Sequence, residues 1–275
     1  MIEKKNLTGY HLKLIALITM LIDHIALVVI MPVYMASYRV TGSMQLSEAL
    51  SDKIIVWVAE NQNLVYMIYD TMRNIGRMAF PIYCFLLVEG FMHTRSVAKY
   101  AGRLAVFALI SEIPFDFAME GKWWALENSN VFFTLVLGLL AMWAVSYIEK
   151  FYVLWQEKQL NPILGRIVTI VAGLLVAVGL GNFAEKVLYS DYGLGGVVAI
   201  LAMYLLRNQK EVAFAIGTLV LAIFCGSSEV FALFTLFFLQ RYDGTRGKSM
   251  KYVFYAFYPA HLLILALICR LFVVK

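Results

Sequence analysis

Charge is the scarce commodity in this 275-residue chain. Asp, Glu, Lys and Arg together supply 15% of the residues, against 62% apolar. Soluble domains carry about 25% charged and roughly 45–50% apolar residues. So little charge cannot cover the surface of a soluble protein of this size. That excludes a soluble enzyme, a disordered chain and a DNA-binding domain. The three cysteines, Cys84, Cys225 and Cys269, lie in apolar segments without CxxC spacing. They exclude a disulfide scaffold and give no zinc motif. The four histidines form no HExxH, so no metal is expected. Asp191-Tyr192-Gly193-Leu194-Gly195-Gly196 is glycine-rich, but it has no phosphate-loop lysine and no preceding strand. Internal repeats and low-complexity stretches are absent as well.

What is there is long apolar runs. A helix needs about 20 mainly apolar residues to cross ~30 Å of hydrocarbon. Nine candidates follow, at roughly 13–36, 76–93, 98–118, 131–149, 163–181, 193–206, 211–225, 228–240 and 250–273. The expected fold is an all-α polytopic transmembrane bundle forming one domain over 1–275 in a lipid bilayer. The first run is too long for a cleavable signal and carries Asp23-His24 at its middle. The segment 37–75 contains Ile54–Ala59 and Leu64–Tyr69, each too short to span, and is read as an outer loop with an interfacial or re-entrant piece. With the N-terminus inside, 15 Lys and Arg fall on inner segments and 7 on outer ones, leaving Arg77 in a span. This asymmetry places the N-terminus in the cytoplasm. It also explains the net charge of +5 without a nucleic-acid partner.

A charge at the centre of a spanning helix costs at least ~2.5–3.5 kcal/mol, so intramembrane charges mark candidate sites. Asp23 and His24 sit at the midpoint of the first span, and His261 near the midpoint of the last. At equal depth the two imidazoles can meet if their helices are neighbours. Histidine suits general-base chemistry near neutral pH. Asp23 cannot face the ring of its neighbour along the same helix, so it is assigned to His261 or to an arginine. Arg77 is expected to pair with Asp70, Asp116 or Asp23. Glu89 and His93 share a helix face at the inner end of the second span. Pro81 is expected to kink that span. Glu112 and Asp116 flank Pro114 on one face, suited either to a cationic substrate or to Arg77. Arg95, Lys99 and Arg103 are spaced by four, as a basic stripe at the inner face. Such a stripe fits phosphates, anionic lipid, or the ordinary positive-inside bias.

Several blocks resemble the TraX family of integral-membrane proteins. They are Leu12–Ala16 leading to Met20-Leu21-Ile22-Asp23-His24-Ile25, Gly76–Pro81, Glu89-Gly90-Phe91 with His93-Thr94-Arg95, Lys99-Tyr100 with Arg103-Leu104, Ser111–Asp116, and Phe257-Tyr258-Pro259 with His261-Leu262. The resemblance implies a multi-pass protein of the bacterial inner membrane. It further implies an acetyltransferase similar to one that modifies the amino terminus of conjugative pilin, and related to membrane acyltransferases of glycans. Acetyl-CoA would be the acyl donor, and a peptide amino terminus or glycan the acceptor. His24, with Asp23 and His261, would carry the chemistry, and Arg95, Lys99 and Arg103 would hold the donor's phosphates. Arg77, Glu89, Glu112 and Asp116 would bind the acceptor or hold the bundle. A proton-coupled transporter and a non-catalytic assembly factor are the alternatives.

Overall fold

The computed structural model describes residues 6–38, 50–125, 127–156, 161–249 and 251–272. Among them the chain is helical throughout, with two isolated backbone bridges in place of a sheet. The order is α1 (Gly9–Ile25), a π-helical turn (Ala26–Ile30), α2 (Met31–Ser37), α3 (Leu50–Glu60), α4 (Gln62–Gly76), α5 (Ala79–His93), α6 (Val97–Met119) and α7 (Val131–Gln156). There follow α8 (Pro162–Lys186), α9 (Gly193–Leu205), α10 (Lys210–Cys225), a 3-10 helix (Ser227–Thr235), α11 (Leu236–Leu239) and α12 (Lys251–Phe272).

Helix α1 opens at Thr8, whose backbone N–H donates to His11 Nδ1 at 3.1 Å. It then runs through the π turn into α2 as one 29-residue helical stretch. Helices α4 and α5 both pack on α1, and α12 returns from the far end of the chain against α1, the π turn and α6. Helix α9 sits in the middle, touching α5, α7, α8 and α10. Its close contacts depend on small residues. Gly196 leaves room for Thr134 and Phe80, and Phe80 stacks on Tyr192 with centroids 3.8 Å apart. The main core collects Leu12, Ile82, Leu139, Met142, Ile200 and Phe214, from five helices.

The outer faces are as apolar as the core. Along α8, Ile163, Ile167, Ile170, Leu174 and Leu175 are each more than half exposed. A face of that kind is stable against lipid and a liability in water. Among the described residues, five helical runs are long and apolar enough to cross a membrane: Gly9–Ser37, Gln62–His93, Val131–Val153, Ile163–Lys186 and Tyr252–Arg270. Gly193–Leu205 and Ser227–Leu239 are apolar and shorter.

Two sequence boundaries are revised. The second run begins at Gln62 and not at 76, because α4 continues into α5 across a turn at Arg77-Met78. Pro81 explains that turn: it has no N–H to offer the Arg77 carbonyl four residues earlier. Leu64–Tyr69 therefore belongs to a helical run packed on α1, while Ile54–Ala59 lies in α3 beside α2 and α4. The expected helix 228–240 is a 3-10 helix followed by one α-turn. A 3-10 helix rises about 2 Å per residue against 1.5 Å for an α-helix, so this short piece reaches roughly 24 Å.

Polar contacts gather at two ends. One end joins Leu7 N–H to the Arg241 carbonyl (2.8 Å), Lys210 Nζ to the Tyr242 carbonyl (2.6 Å) and Arg207 to Glu149 (3.3 Å). The other joins Ser129 N–H to the Tyr189 carbonyl (3.0 Å) and Arg270 Nη2 to the Gly121 carbonyl (2.7 Å).

Gly196→Leu is expected to lower stability by about 1–3 kcal/mol, through overpacking. Gly102→Leu, where an added side chain meets open space, should leave it nearly unchanged. Thermal unfolding of both variants in detergent checks the pair.

Candidate active site

His24 and His261 meet. The π turn that follows His24 is packed by α12, which brings the first and last described helices together at this depth. His24 Nδ1 lies 2.9 Å from His261 Nε2. His261 Nδ1 lies 2.7 Å from the Phe257 carbonyl, one turn back on α12. These contacts fix the protons by elimination. A carbonyl only accepts, so His261 Nδ1 carries hydrogen and, in the neutral ring, Nε2 is bare. His261 Nε2 then accepts from His24 Nδ1–H. The neutral ring of His24 is left with its lone pair on Nε2. The Phe257 ring stacks on His261 at 4.6 Å, so His261 is held on two sides. His261 is 5% exposed, while His24 is only partly buried.

Below the pair opens a cavity of about 660 Å³. Such a volume lies within the range of small-molecule and cofactor sites, ~300–1,000 Å³. Lys13, Arg95, Arg103 and Arg246 line it, with Glu89 and His93. Other lining residues, Met20, Tyr83, Phe132 and Tyr258, reach the level of the histidines. Tyr258 belongs to both features: it lines the cavity and its ring centroid stands 6.1 Å from His24 and 5.7 Å from His261. The loop carrying Arg246 is ordered by Asp243, which accepts from the Thr245 hydroxyl (2.7 Å) and backbone N–H (2.8 Å). Those two bonds hold the Asp243 carboxyl below the usual range. Arg246 Nη2 donates to Ser249 Oγ at 3.3 Å.

The basic set differs from the expected stripe. Arg95 and Arg103 line the cavity, and Lys99 does not; its side chain is exposed. The Ser96 side chain caps α6 by accepting from Lys99 N–H at 3.3 Å, so Arg95 precedes the helix and does not share the stripe of Lys99 and Arg103. Lys13 and Arg246 complete the set. Arg246 lies over 140 positions from Arg103, and no local spacing could have joined them. Glu89 accepts from the Tyr242 hydroxyl at 3.1 Å. His93 Nδ1 lies 2.8 Å from the Glu89 carbonyl, so the two share a face as their spacing requires.

A second cluster lies on the other side of His24. Asp23 Oδ2 pairs with Arg73 Nη1 at 2.5 Å, and so does not reach His261. Gly76 packs on the Asp23 carboxylate where any side chain would collide. Arg77 Nη1 pairs with Glu229 Oε1 at 2.9 Å, and with none of Asp70, Asp116 or Asp23. Sequence reasoning missed Arg73 because it was placed in a loop, and Glu229 because it was placed at a span end. Their nearest signal was Arg77 itself, a charge in need of a partner. Glu112 and Asp116 are committed too. Glu112 Oε2 accepts from Asn130 N–H (3.0 Å) and Nδ2 (2.5 Å), and Asp116 Oδ2 from Ala125 N–H (2.7 Å). Both are buried, at 5% and 0% exposure, and clamp the 121–130 loop onto α6. They grip this loop rather than Arg77 or an open outer face.

The family model described as "TraX protein" matches residues 8–269. The chain belongs to the TraX family. Its helical architecture thus belongs to a TraX family member, with the histidine pair and cavity inside the matched region. A curated relative, the probable fimbrial assembly protein FimC, serogroup H1, of Dichelobacter nodosus, is 31% identical over 230 residues. The match covers 73% of this chain and 82% of the relative. No solved structure matches the chain.

The Arg77–Glu229 pair, with side chains 20% and 1% exposed, makes a stability prediction. Removing one partner of a buried pair strands the other charge and costs about 3–5 kcal/mol. Arg77→Met should destabilise by that order. Arg77→Met with Glu229→Leu should lose markedly less, read as thermal midpoints in detergent.

Proposed function

We propose that this TraX family member is a membrane-embedded acetyltransferase. It would move an acetyl group from cytosolic acetyl-CoA to an amine or hydroxyl of an acceptor on the outer side of the bacterial inner membrane. The observation that carries the reading is a cavity lined both by four basic side chains and by Tyr258, which also touches both histidines. Lys13, Arg95, Arg103 and Arg246 would hold the donor's phosphates, a role that favours arginine where two N–H groups can meet two oxygens. Acetyl-CoA supplies an activated acyl carbon as a thioester substrate.

The residues of the chain then do the proton work. His24 Nε2, the nitrogen left without hydrogen in the neutral pair, takes the proton of the attacking amine or hydroxyl. The new bond forms at the acyl carbon, the carbon–sulfur bond breaks, and the proton passes to the departing thiolate. His261 keeps the His24 proton on Nδ1 and accepts from the imidazolium at the same atom, so the ring need not turn. Asp23, tied to Arg73, fixes α1 beside the site. The relative's name, a probable fimbrial assembly protein, favours a pilin-like polypeptide as the acceptor.

The topology of this reading has nine passes with the N-terminus in the cytoplasm. Its support is the excess of inner Lys and Arg and the sorting of polar contacts to two ends. Lys122→Cys, on the end with Gly121 and Arg270, should react with an impermeant maleimide on intact cells, and Lys248→Cys should not. The reverse pattern would invert the orientation.

Purified protein in proteoliposomes should release free thiol from acetyl-CoA when given an amine or hydroxyl acceptor. His24→Ala should lower kcat by about 10²–10⁴-fold, and His261→Ala by less. Full thiol release by both variants would sink the mechanism. Proton-driven flux of a solute without thiol release would replace the enzyme with a transporter.

A further inference from the structure

Five tyrosines line the cavity: Tyr83, Tyr100, Tyr242, Tyr255 and Tyr258. Most are occupied by the protein. The Tyr242 hydroxyl donates to Glu89. The Tyr255 ring stacks on Phe107 at 4.3 Å. Tyr100 packs against Gly90 near the basic side chains, with Arg103 5.8 Å above its ring. The Tyr258 ring stands edge-on to both imidazoles. Tyr83 differs in place and in state. It packs against the cluster of Met20, Ala79, Phe115, Tyr258 and Leu262, of which Tyr258 contacts both histidines. Its hydroxyl bonds no described residue, and it is not among the enclosed polar atoms left without a partner. Tyr83 is also a lining residue of the cavity.

Along α5, Tyr83 and His93 are ten residues apart, about 15 Å of helix. Helix α5 therefore carries Tyr83, Glu89 and His93 along the cavity, with Arg95 just beyond its end. A phenol is a hydrogen-bond donor that stays neutral near pH 7. In a dry, apolar surrounding such a donor is worth most where negative charge develops during reaction.

We propose that Tyr83 is a catalytic residue that donates its O–H to the carbonyl oxygen of the acyl donor. This rests on the acetyltransferase reading above. As the acceptor's nitrogen or oxygen bonds to the acyl carbon, the carbonyl electrons move onto oxygen, and the Tyr83 hydroxyl stabilises that charge. Tyr83 keeps its proton throughout. When the carbon–sulfur bond breaks, the electrons return to the carbonyl, and the acceptor's proton, held by His24, goes to the thiolate.

The test is Tyr83→Phe, which removes one oxygen and preserves the ring. In proteoliposomes kcat should fall about 100-fold with the KM for acetyl-CoA unchanged, as for other single donors to such an oxygen. A second readout needs no turnover. With acetyl-CoA carrying a ¹³C carbonyl bound in the absence of acceptor, the isotope-edited infrared carbonyl band should lie lower in the wild type than in Tyr83→Phe. Equal bands and equal kcat, with acetyl-CoA still bound, would overturn the role of Tyr83 and leave the acetyltransferase reading standing. Failure of the wild type to bind acetyl-CoA would overturn both.

Discussion

The hydrogen bond between His24 and His261 closes the structure on itself. The two residues lie 237 positions apart, and their rings are held at 2.9 Å. A polar ring inside a bundle that faces hydrocarbon must find a partner or lose several kcal/mol. Here the partner is another ring, which can both accept and donate. Helix α12 must therefore lie along α1 at one depth and in one rotation. The π turn directly after His24 is consistent with this demand. A wide turn shifts the register of the residues beyond it, and such turns recur where a side chain must be aimed. The faces that α1 and α12 show to α4, α5 and α6 follow from this registration.

Much of this was legible in the sequence because a bilayer simplifies the code. Long apolar runs announce helices, and mid-run charges stand out against them. Asp23, His24, Arg77 and His261 were all singled out on that basis, and all lie at contacts between helices. Partners were harder to read. Arg77 meets Glu229 across 152 positions, and Lys13 shares a cavity with Arg246 at the other end of the chain. Periodicity reports which face a residue occupies on its own helix, and says nothing of which helix lies opposite. At Arg95 the limit was local: a spacing of four implies a shared face only within one helix, and the Ser96 cap starts α6 after Arg95. The 3-10 stretch at Ser227–Thr235 was invisible for a related reason: apolarity measures what a segment faces, and not its rise per residue.

The polar residues inside the bundle divide into two sets by whether they line the cavity. Asp23, Arg77, Glu112, Asp116 and Glu229 do not line it and each bond another part of the chain, joining α1 to α4, the α4–α5 turn to the 3-10 helix, and α6 to the loop after it. They act as interhelical fasteners. The second set lines the cavity: the four basic residues, Glu89 and Tyr83. Charged or polar groups that line a cavity within an apolar bundle are costly to maintain for structure alone. The first set therefore explains why the bundle holds, and the second where chemistry would occur.

The histidine pair lies on the boundary between these sets. One nitrogen of His261 is spent on the Phe257 carbonyl and the other on His24, so His261 is wholly structural in the resting tautomer. His24 uses one nitrogen and keeps one. A chain of donors ending in a single open lone pair has a direction: it secures the proton at the buried end and leaves basicity at the other. A pair serving only to fasten helices would have no need of such a direction, and Tyr258, which contacts both rings, lines the cavity. The asymmetry between the two rings, and not their proximity alone, is the strongest physical reason to look for proton transfer at His24.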